Sequence, residues 1–267
     1  MLFPAKCVKI YYVNKQVRSN VMHQFTSRVR YSEVGEQGFM SLSSIMKYMT
    51  DCSMFHSIAI DYDLDTLNEQ DLGWYITEWQ IRINKRPVLG QEIVIKTWPY
   101  KFRSMMGFRN FTIETTDGER LVEADSMWIL MNLKKLKPTN VPQKMADDFT
   151  CESEVHRKWL SRKIPVCDEL QAKIDGADAD YKFKVRQMHI DTNHHMNNSR
   201  YIEAATECLD DDLDVSYIRA SYQNVAYKDD VISVSSAPID DGVQMALYND
   251  ETQFAVVEML YSLDSVS

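Results

Sequence analysis

A chain of 267 residues, 45% hydrophobic and 26% charged with a formal charge of −9, is an ordinary folded protein with room for two cores or one large one at about 150 residues per domain. The acidic balance argues against nucleic-acid binding, which draws on cationic side chains displacing counterions from phosphates. No segment approaches the roughly 20 apolar residues of a membrane span, the opening MLFPAKCVKIYYVNKQVRSN is broken by Lys6, Lys9 and Lys15 and does not read as a secretory signal, and Cys7, Cys52, Cys151, Cys167 and Cys208 form no C-x-x-C pair, which fits a reducing cytoplasm.

In the first half a strand is followed by a helix over Ser41 to Phe55, where Leu42, Ile45, Met46 and Met49 fall at i, i+3, i+4 and i+7 and make one apolar stripe. Strand-like runs then start at Trp74 (WYITEWQIRI), Glu92 (EIVIKTWPY), Gly107 (GFRNFTIETT) and Arg120 (RLVEADSMWILMNL), with Asp117-Gly118 as a hairpin turn between the last two. Lys134, Lys135 and Lys137 make a local basic cluster, as do Arg157 with Lys158 and Arg162 with Lys163; each reads as solvated loop charge or as a positive docking face.

From about Thr139 to Asp178 the periodicity is weak and prolines recur, so this stretch reads as a linker with a short helix around Ser153 to Leu160. The second half repeats the element order of the first. A strand opens it at Tyr181 (YKFKVR), a helix starting near Asn198 places Tyr201, Ala204, Ala205 and Cys208 at helical spacing, and DVSYIRASYQNVAY, DVISVSSAP, VQMALYN and QFAVVEMLYSL read as strands. Two such units imply an α+β architecture with pseudo-twofold symmetry, the two sheets joined edge to edge because free edges invite aggregation. The expected boundaries are 1–138, a linker over 139–178, and 179–267.

The densest group of reactive side chains runs from His189 to Asn198, between a strand and a helix. A helix start leaves backbone N–H groups unpaired and carries positive potential, which suits an oxyanion. Asn197, Asn198 and Ser199 are able to cap it. Asp191 can act as base or nucleophile, Asn193 donates an amide N–H, and His195 titrates near neutrality, so the three could attack and polarise a carbonyl. Two other readings stay open: a hydrogen-bonded capped loop, and a metal site built from His189, Asp191, His194 and His195, for which no H-E-x-x-H spacing exists.

Asp191-x-Asn193-x-His195-Met196-Asn197-Asn198-x-x-Tyr201 resembles the catalytic D-x-N-x-H-[VM]-N-N-x-x-Y segment of the acyl-acyl carrier protein thioesterases of plants and bacteria, which carry two fused hot-dog domains. Tyr31-Ser32-Glu33-Val34-Gly35, Trp74 and Trp79 with Arg86-Pro87, and Trp128-Ile129-Leu130-Met131-Asn132 are similar to that family's N-terminal domain. The likeness runs over about residues 20 to 264.

The resemblance implies two hot-dog domains, each an antiparallel sheet wrapped around a long helix, with Asp191, Asn193 and His195 catalytic. It implies hydrolysis of fatty acyl-acyl carrier protein thioesters, releasing fatty acid and ending chain elongation, with the carrier protein as partner. No cofactor, metal, nucleic acid or membrane partner is expected, and a homodimer is admissible. Asn197, Asn198, Gln223, Asn224, Met46 and Met49 are the expected substrate contacts, and Met40, Met54 and Phe55 are expected to line an acyl channel with them. The plant enzymes carry a Glu-Cys pair three residues after a Tyr on the next strand; counting from Tyr222 places Val225 and Ala226 there. Either the Asp-Asn-His set suffices, with Gln223 or Asn224 positioning water, or activity is slow or altered. A coenzyme A thioesterase and a non-catalytic acyl-binding protein are the alternatives.

Overall fold

The computed structural model describes residues 22–149, 151–155, 159–210, 212 and 215–262. The N-terminal segment read above, with Cys7, Arg157 and Lys158, lies outside them.

Strand β1 (His23–Arg28) leads to helix α1 (Leu42–Ala59), which starts where the Ser41 hydroxyl accepts from the Ser44 N–H at 3.2 Å. Leu42, Ile45, Met46, Met49 and Cys52 are all buried on one side of α1, the stripe expected from their spacing, and the helix continues one turn past Phe55. A short α2 (Leu64–Glu69) precedes the meander β2 (Leu72–Ile83), β3 (Glu92–Arg103), β4 (Met106–Thr115) and β5 (Arg120–Asn132), with a two-residue β6 (Lys137–Pro138) against β5. Gly118, at a φ of +93°, turns the β4–β5 hairpin, a conformation that favours glycine.

After α3 (Gln143–Asp148) and α4 (Asp168–Asp175), the second half comprises β7 (Tyr181–Lys184), α5 (Asn198–Thr206), β8 (Tyr217–Tyr222), β9 (Val231–Ile239), β10 (Gly242–Tyr248) and β11 (Gln253–Leu260). Helix α5 has 9 residues against the 18 of α1, and Cys208 falls beyond its end. Strand β8 stops at Tyr222, so Gln223, Asn224, Val225 and Ala226 form a loop.

All the strands join one antiparallel sheet in the order β1-β3-β4-β5-β2-β8-β11-β10-β9-β7. The seam is β2 against β8, with Trp79 opposite Ala220 and Ile81 opposite Ile218. Both helices lie on the inner face and touch each other, and the buried apolar side chains there form one continuous cluster spanning both halves. The ion pair between Lys47 and Glu203, at 2.6 Å, ties α1 to α5 at the surface. Among the described residues no helix is long and apolar enough to cross a membrane.

The stretch after Thr139 differs from the expected short helix at Ser153–Leu160. The described residues there have no helical structure, and helices form at α3 and α4 instead. The reason is that this stretch satisfies its backbone against the outer face of the sheet. Trp98 donates to the Ser153 carbonyl at 2.9 Å, Gln80 to that of Leu160 at 3.0 Å, and Arg219 to those of Ser161 and Lys163. Leu170 of α4 is buried against Ala237, Ala246 and Tyr248.

Arg162 fastens this strap. Its guanidinium pairs with Asp125, which is fully buried, reaches Glu78 at 3.5 Å and donates to Tyr100 at 3.2 Å. It is therefore engaged, and not free for docking. Burial pushes the Asp125 carboxyl up to about 6 from 3.8 against the pull of Arg162, so the folded protein binds this proton more tightly than the unfolded chain and loses stability as pH rises from about 4 through 6. Arg162→Leu leaves that carboxylate unpaired, and the expected cost is about 3 kcal/mol. Denaturant unfolding should show that cost at pH 8 and a clearly smaller one at pH 5, where Asp125 is protonated; an equal cost at both values would contradict the pairing.

Candidate active site

The segment ahead of α5 is held on several sides before it meets any ligand. Asp191 Oδ1 accepts the Asn193 N–H at 2.8 Å, the Asp191 N–H donates to the His195 carbonyl at 3.0 Å, and His194 takes up a φ of +65° to close the turn. The Met196 N–H donates to the Ala226 carbonyl at 2.8 Å. Asn197 caps α5, its Oδ1 accepting from the Ser199 N–H at 2.9 Å and the Ser199 hydroxyl at 2.8 Å.

That turn brings His195 and Asp191 together. The His195 ring is 7% exposed, and its Nδ1 lies 3.8 Å from Asp191 Oδ2 and 3.2 Å from the Met196 carbonyl. A carbonyl only accepts, so the Nδ1 contact assigns the proton to Nδ1 and leaves a lone pair on Nε2. Nε2 is buried and has no protein hydrogen-bond partner among the described residues. The Tyr75 ring packs against the imidazole at 5.2 Å, and the Tyr75 hydroxyl is pushed above its ordinary pKa by burial, then by Tyr227 and Asp191.

Asp191, Asn193 and His195 line a cavity of about 500 Å³ that runs from this turn into the first half, beneath α1. Its walls include Met54, Leu67, Trp74, Phe102, Phe108 and Phe149. Among the described residues on its wall, Asp191 is the one carboxylate and Arg109 the one permanent cation.

Asn197, Asn198, Gln223 and Asn224 also line the cavity, and all four side chains are committed to the fold as well: beside the Asn197 cap, Asn198 Nδ2 reaches the Ile76 carbonyl at 3.4 Å, Gln223 Oε1 accepts from Gln253 Nε2 at 3.0 Å and Asn224 Nδ2 donates to the Gln253 carbonyl at 2.8 Å. Met46 and Met49 sit in the core behind the wall, as does Met40, whereas Met54 lines the cavity. Phe55 departs from expectation: it is 42% exposed and packs edge-on against Phe25, because it falls on the outward side of α1. His189 Nδ1 accepts from the Arg186 N–H at 3.1 Å, and among the described residues no three His, Cys, Asp or Glu side chains are grouped to hold a metal.

The site also uses residues to which the sequence assigned no role in it. Tyr222, half-buried and with its hydroxyl desolvated so that its pKa is pushed up, donates to the Asn198 carbonyl at 3.1 Å, and the Tyr201 hydroxyl accepts the Ala226 N–H at 3.0 Å. They tie β8 and the loop after it to the start of α5. Tyr75 and Arg109 come from the first half, and a charged residue in phase with Phe111 and Ile113 on one strand was the available signal for Arg109.

The family model described as the acyl-ACP thioesterase N-terminal domain matches residues 20–149, and that of the acyl-ACP thioesterase C-terminal domain matches 172–258. The chain belongs to the acyl-ACP thioesterase family. The palmitoyl-acyl carrier protein thioesterase of Cuphea hookeriana is 25% identical over 196 residues, covering 70% of this chain and 46% of that protein. Oleoyl-acyl carrier protein thioesterase 1 of Arabidopsis thaliana is 24% identical over 225 residues, 76% of this chain and 60% of its own. The chain thus spans about half the length of the Cuphea hookeriana relative. Among solved structures, an acyl-ACP thioesterase from Bacteroides thetaiotaomicron superposes with a TM-score of 0.79 at 18% identity, covering 90% of this chain and 98% of that one. The 12:0-ACP thioesterase from Umbellularia californica gives 0.78 at 17%, covering 92% and 99%. These likenesses show the α+β fold of the thioesterase family, with its hot-dog domains fused in one chain.

Within this family member, Val225 lines the cavity and Ala226 is fully buried. The cap on α5 gives a local test: Asn197→Ala removes two acceptor contacts at the helix start and should cost about 1 kcal/mol. Urea unfolding measures it, and an unchanged midpoint would mean that the cap does not hold the segment.

Proposed function

We propose that the chain hydrolyses fatty acyl thioesters carried on acyl carrier protein, releasing the free fatty acid and so ending chain elongation. The observation that carries this reading is a histidine with an unpartnered Nε2, beside a carboxylate, on the wall of an otherwise largely apolar cavity. Buried polar atoms without partners are costly and rare, and an imidazole lone pair next to a space fit for an acyl chain suits a general base.

In the reaction as we read it, the chain enters beneath α1 and the thioester carbonyl stops beside Asn193 and the start of α5. The Tyr75 ring shifts to admit water against Nε2. His195 takes one proton from that water as its oxygen bonds to the carbonyl carbon, and Asp191, 3.8 Å from Nδ1, stabilises the imidazolium that forms. The Asn193 amide and the positive end of α5 hold the oxyanion. Collapse breaks the C–S bond, and the imidazolium returns its proton to the leaving sulfur. Direct attack by Asp191 to form a mixed anhydride is the other route open to the same residues.

The carrier protein is favoured as the source of the acyl group by Lys134, Lys135 and Lys137, which are exposed in the turn whose Leu133, Leu136 and Pro138 line the cavity. A basic rim attracts an acidic partner and makes its binding salt-dependent. The four described cysteines are free, in keeping with a cytoplasmic site of action. Expected boundaries near residues 138 and 179 place the acyl pocket in the first domain and the reacting groups in the second.

Asp191→Ala and His195→Ala should each lower kcat by about a hundred- to ten-thousandfold in a protein that remains folded, and Val225→Glu should not be needed for measurable turnover. Near-normal activity in Asp191→Ala contradicts its role; a wild-type protein inert on every acyl thioester, with activity appearing in Val225→Glu alone, favours an acyl-binding protein. Raising salt should increase KM for acyl-carrier-protein thioesters more than for matching coenzyme A thioesters, and equal sensitivity would contradict the basic rim.

A further inference from the structure

Arg109 is out of place by the ordinary rules of a sheet core. It shares the inner face of β4 with Phe111 and Ile113, which are fully buried, and it is itself 7% exposed. Its Nη1 makes both of its protein hydrogen bonds, to His56 Nδ1 at 3.0 Å and to the Thr97 hydroxyl at 3.1 Å, and the guanidinium lies 5.6 Å above the Phe149 ring. Among the described residues no carboxylate pairs with it, and Nε and Nη2 have no protein partner.

Among the described residues nothing nearby supplies the missing negative charge, since burial raises the Cys151 thiol as well. Burial, reinforced by Arg109, pushes His56 down to about 2, so its ring is neutral, and burial pushes the Cys52 thiol up to about 12. His23, stacked on His56 at 5.7 Å, is lowered by burial and then by Arg109. The guanidinium itself is drawn down by burial to about 10, still far above neutrality. A lasting positive charge therefore stands at the cavity wall without a counter-ion, an arrangement that is costly unless something else occupies the space.

That something arrives from the cavity, well away from the reacting groups. On the ladder Arg109 pairs with Ser126 and Ser126 with Trp79, four residues along β2 from the Tyr75 that packs on His195. Two strand spacings across and four residues along amount to roughly 16 Å. Asp191 is at the opposite end, and the surfaces between are mostly aromatic and aliphatic.

We propose that Arg109 is a specificity residue that reads an oxygen acceptor on the far part of the acyl chain, so that the preferred substrates are thioesters of oxygenated acids, with carboxylate-ended chains ahead of hydroxylated ones. The forked guanidinium suits a carboxylate, which supplies the absent charge and two acceptor oxygens; a hydroxyl supplies an acceptor alone. An unsubstituted alkyl end leaves the cation unpaired. The inference rests on the cavity being the acyl pocket, and its test is separable from turnover.

Calorimetric binding of uncharged alkyl pantetheine thioethers to the whole protein, over chains of 8 to 16 carbons, compares each plain chain with its ω-hydroxy and ω-carboxy counterparts. At the best length the ω-carboxy chain should bind the wild type at least tenfold more tightly than the plain chain, with the ω-hydroxy chain between them. Arg109→Met should abolish the preference while binding the plain chain as well or better. Equal or weaker binding of the ω-carboxy chain at every length, or a preference that survives in Arg109→Met, overturns the proposal. The wild-type series alone decides it if that variant does not fold. Cleavage of plain acyl thioesters, assayed alongside, reports on the proposed hydrolysis: turnover without an ω-carboxy preference sinks the role of Arg109 alone, whereas an ω-carboxy preference without turnover sinks hydrolysis and leaves the binding site.

Discussion

The antiparallel pairing of β2 with β8 is the constraint on which the remaining structure depends. It opposes Trp79 to Ala220 and Ile81 to Ile218, one large side chain against one small and one branched pair, and so lets two sheets close into one without a free edge at the seam. Because the strands run in a fixed register, the two helices are set side by side on one face. The start of α5 then lies against β2 of the other half, where Asn198 reaches the Ile76 carbonyl and His195 meets Tyr75. A slip of one residue at this seam would turn Trp79 outward and Gln80 inward, and the site would come apart with it.

From that seam follows a division of labour. The half that begins at β7 contributes the turn with Asp191, Asn193 and His195, and the half that begins at β1 contributes the wall of the cavity. Hydroxyl groups of Tyr201 and Tyr222 hold the turn in place through backbone contacts, so its geometry is set before a ligand enters. The strap between the halves lies on the opposite face, fixed by Arg162 and Gln80, and keeps the outer side of the same seam covered.

Much of this was legible in the sequence where periodicity was strong. The apolar stripe of α1, the Asp117-Gly118 hairpin and the order of strands in both halves follow from local rules, and each agrees with the folded result. The strap was harder, since its backbone is satisfied by Trp98, Gln80 and Arg219 from distant strands, which no window of sequence reveals. Phe55 was expected to line the acyl channel that the family resemblance implies, although its position one residue past Met54 turns it to the outer side. The cluster from Asp191 to His195 stood out by residue type, yet the pairing of His195 with Tyr75 and the distance between Arg109 and the reacting turn are products of the sheet register. Arg162 looked like loop charge because its partners, Asp125 and Glu78, are far away in the chain.

The most direct test of the central claim is a crystal structure of the protein with a non-hydrolysable thioether, S-dodecyl pantetheine, bound. The sulfur end should lie beside His195 and Asn193 and the alkyl chain should run beneath α1 toward β4, with the Tyr75 ring displaced from Nε2. An alkyl chain lodged outside the cavity, or one entering it with its sulfur end at β4, would contradict the division between reacting turn and chain pocket.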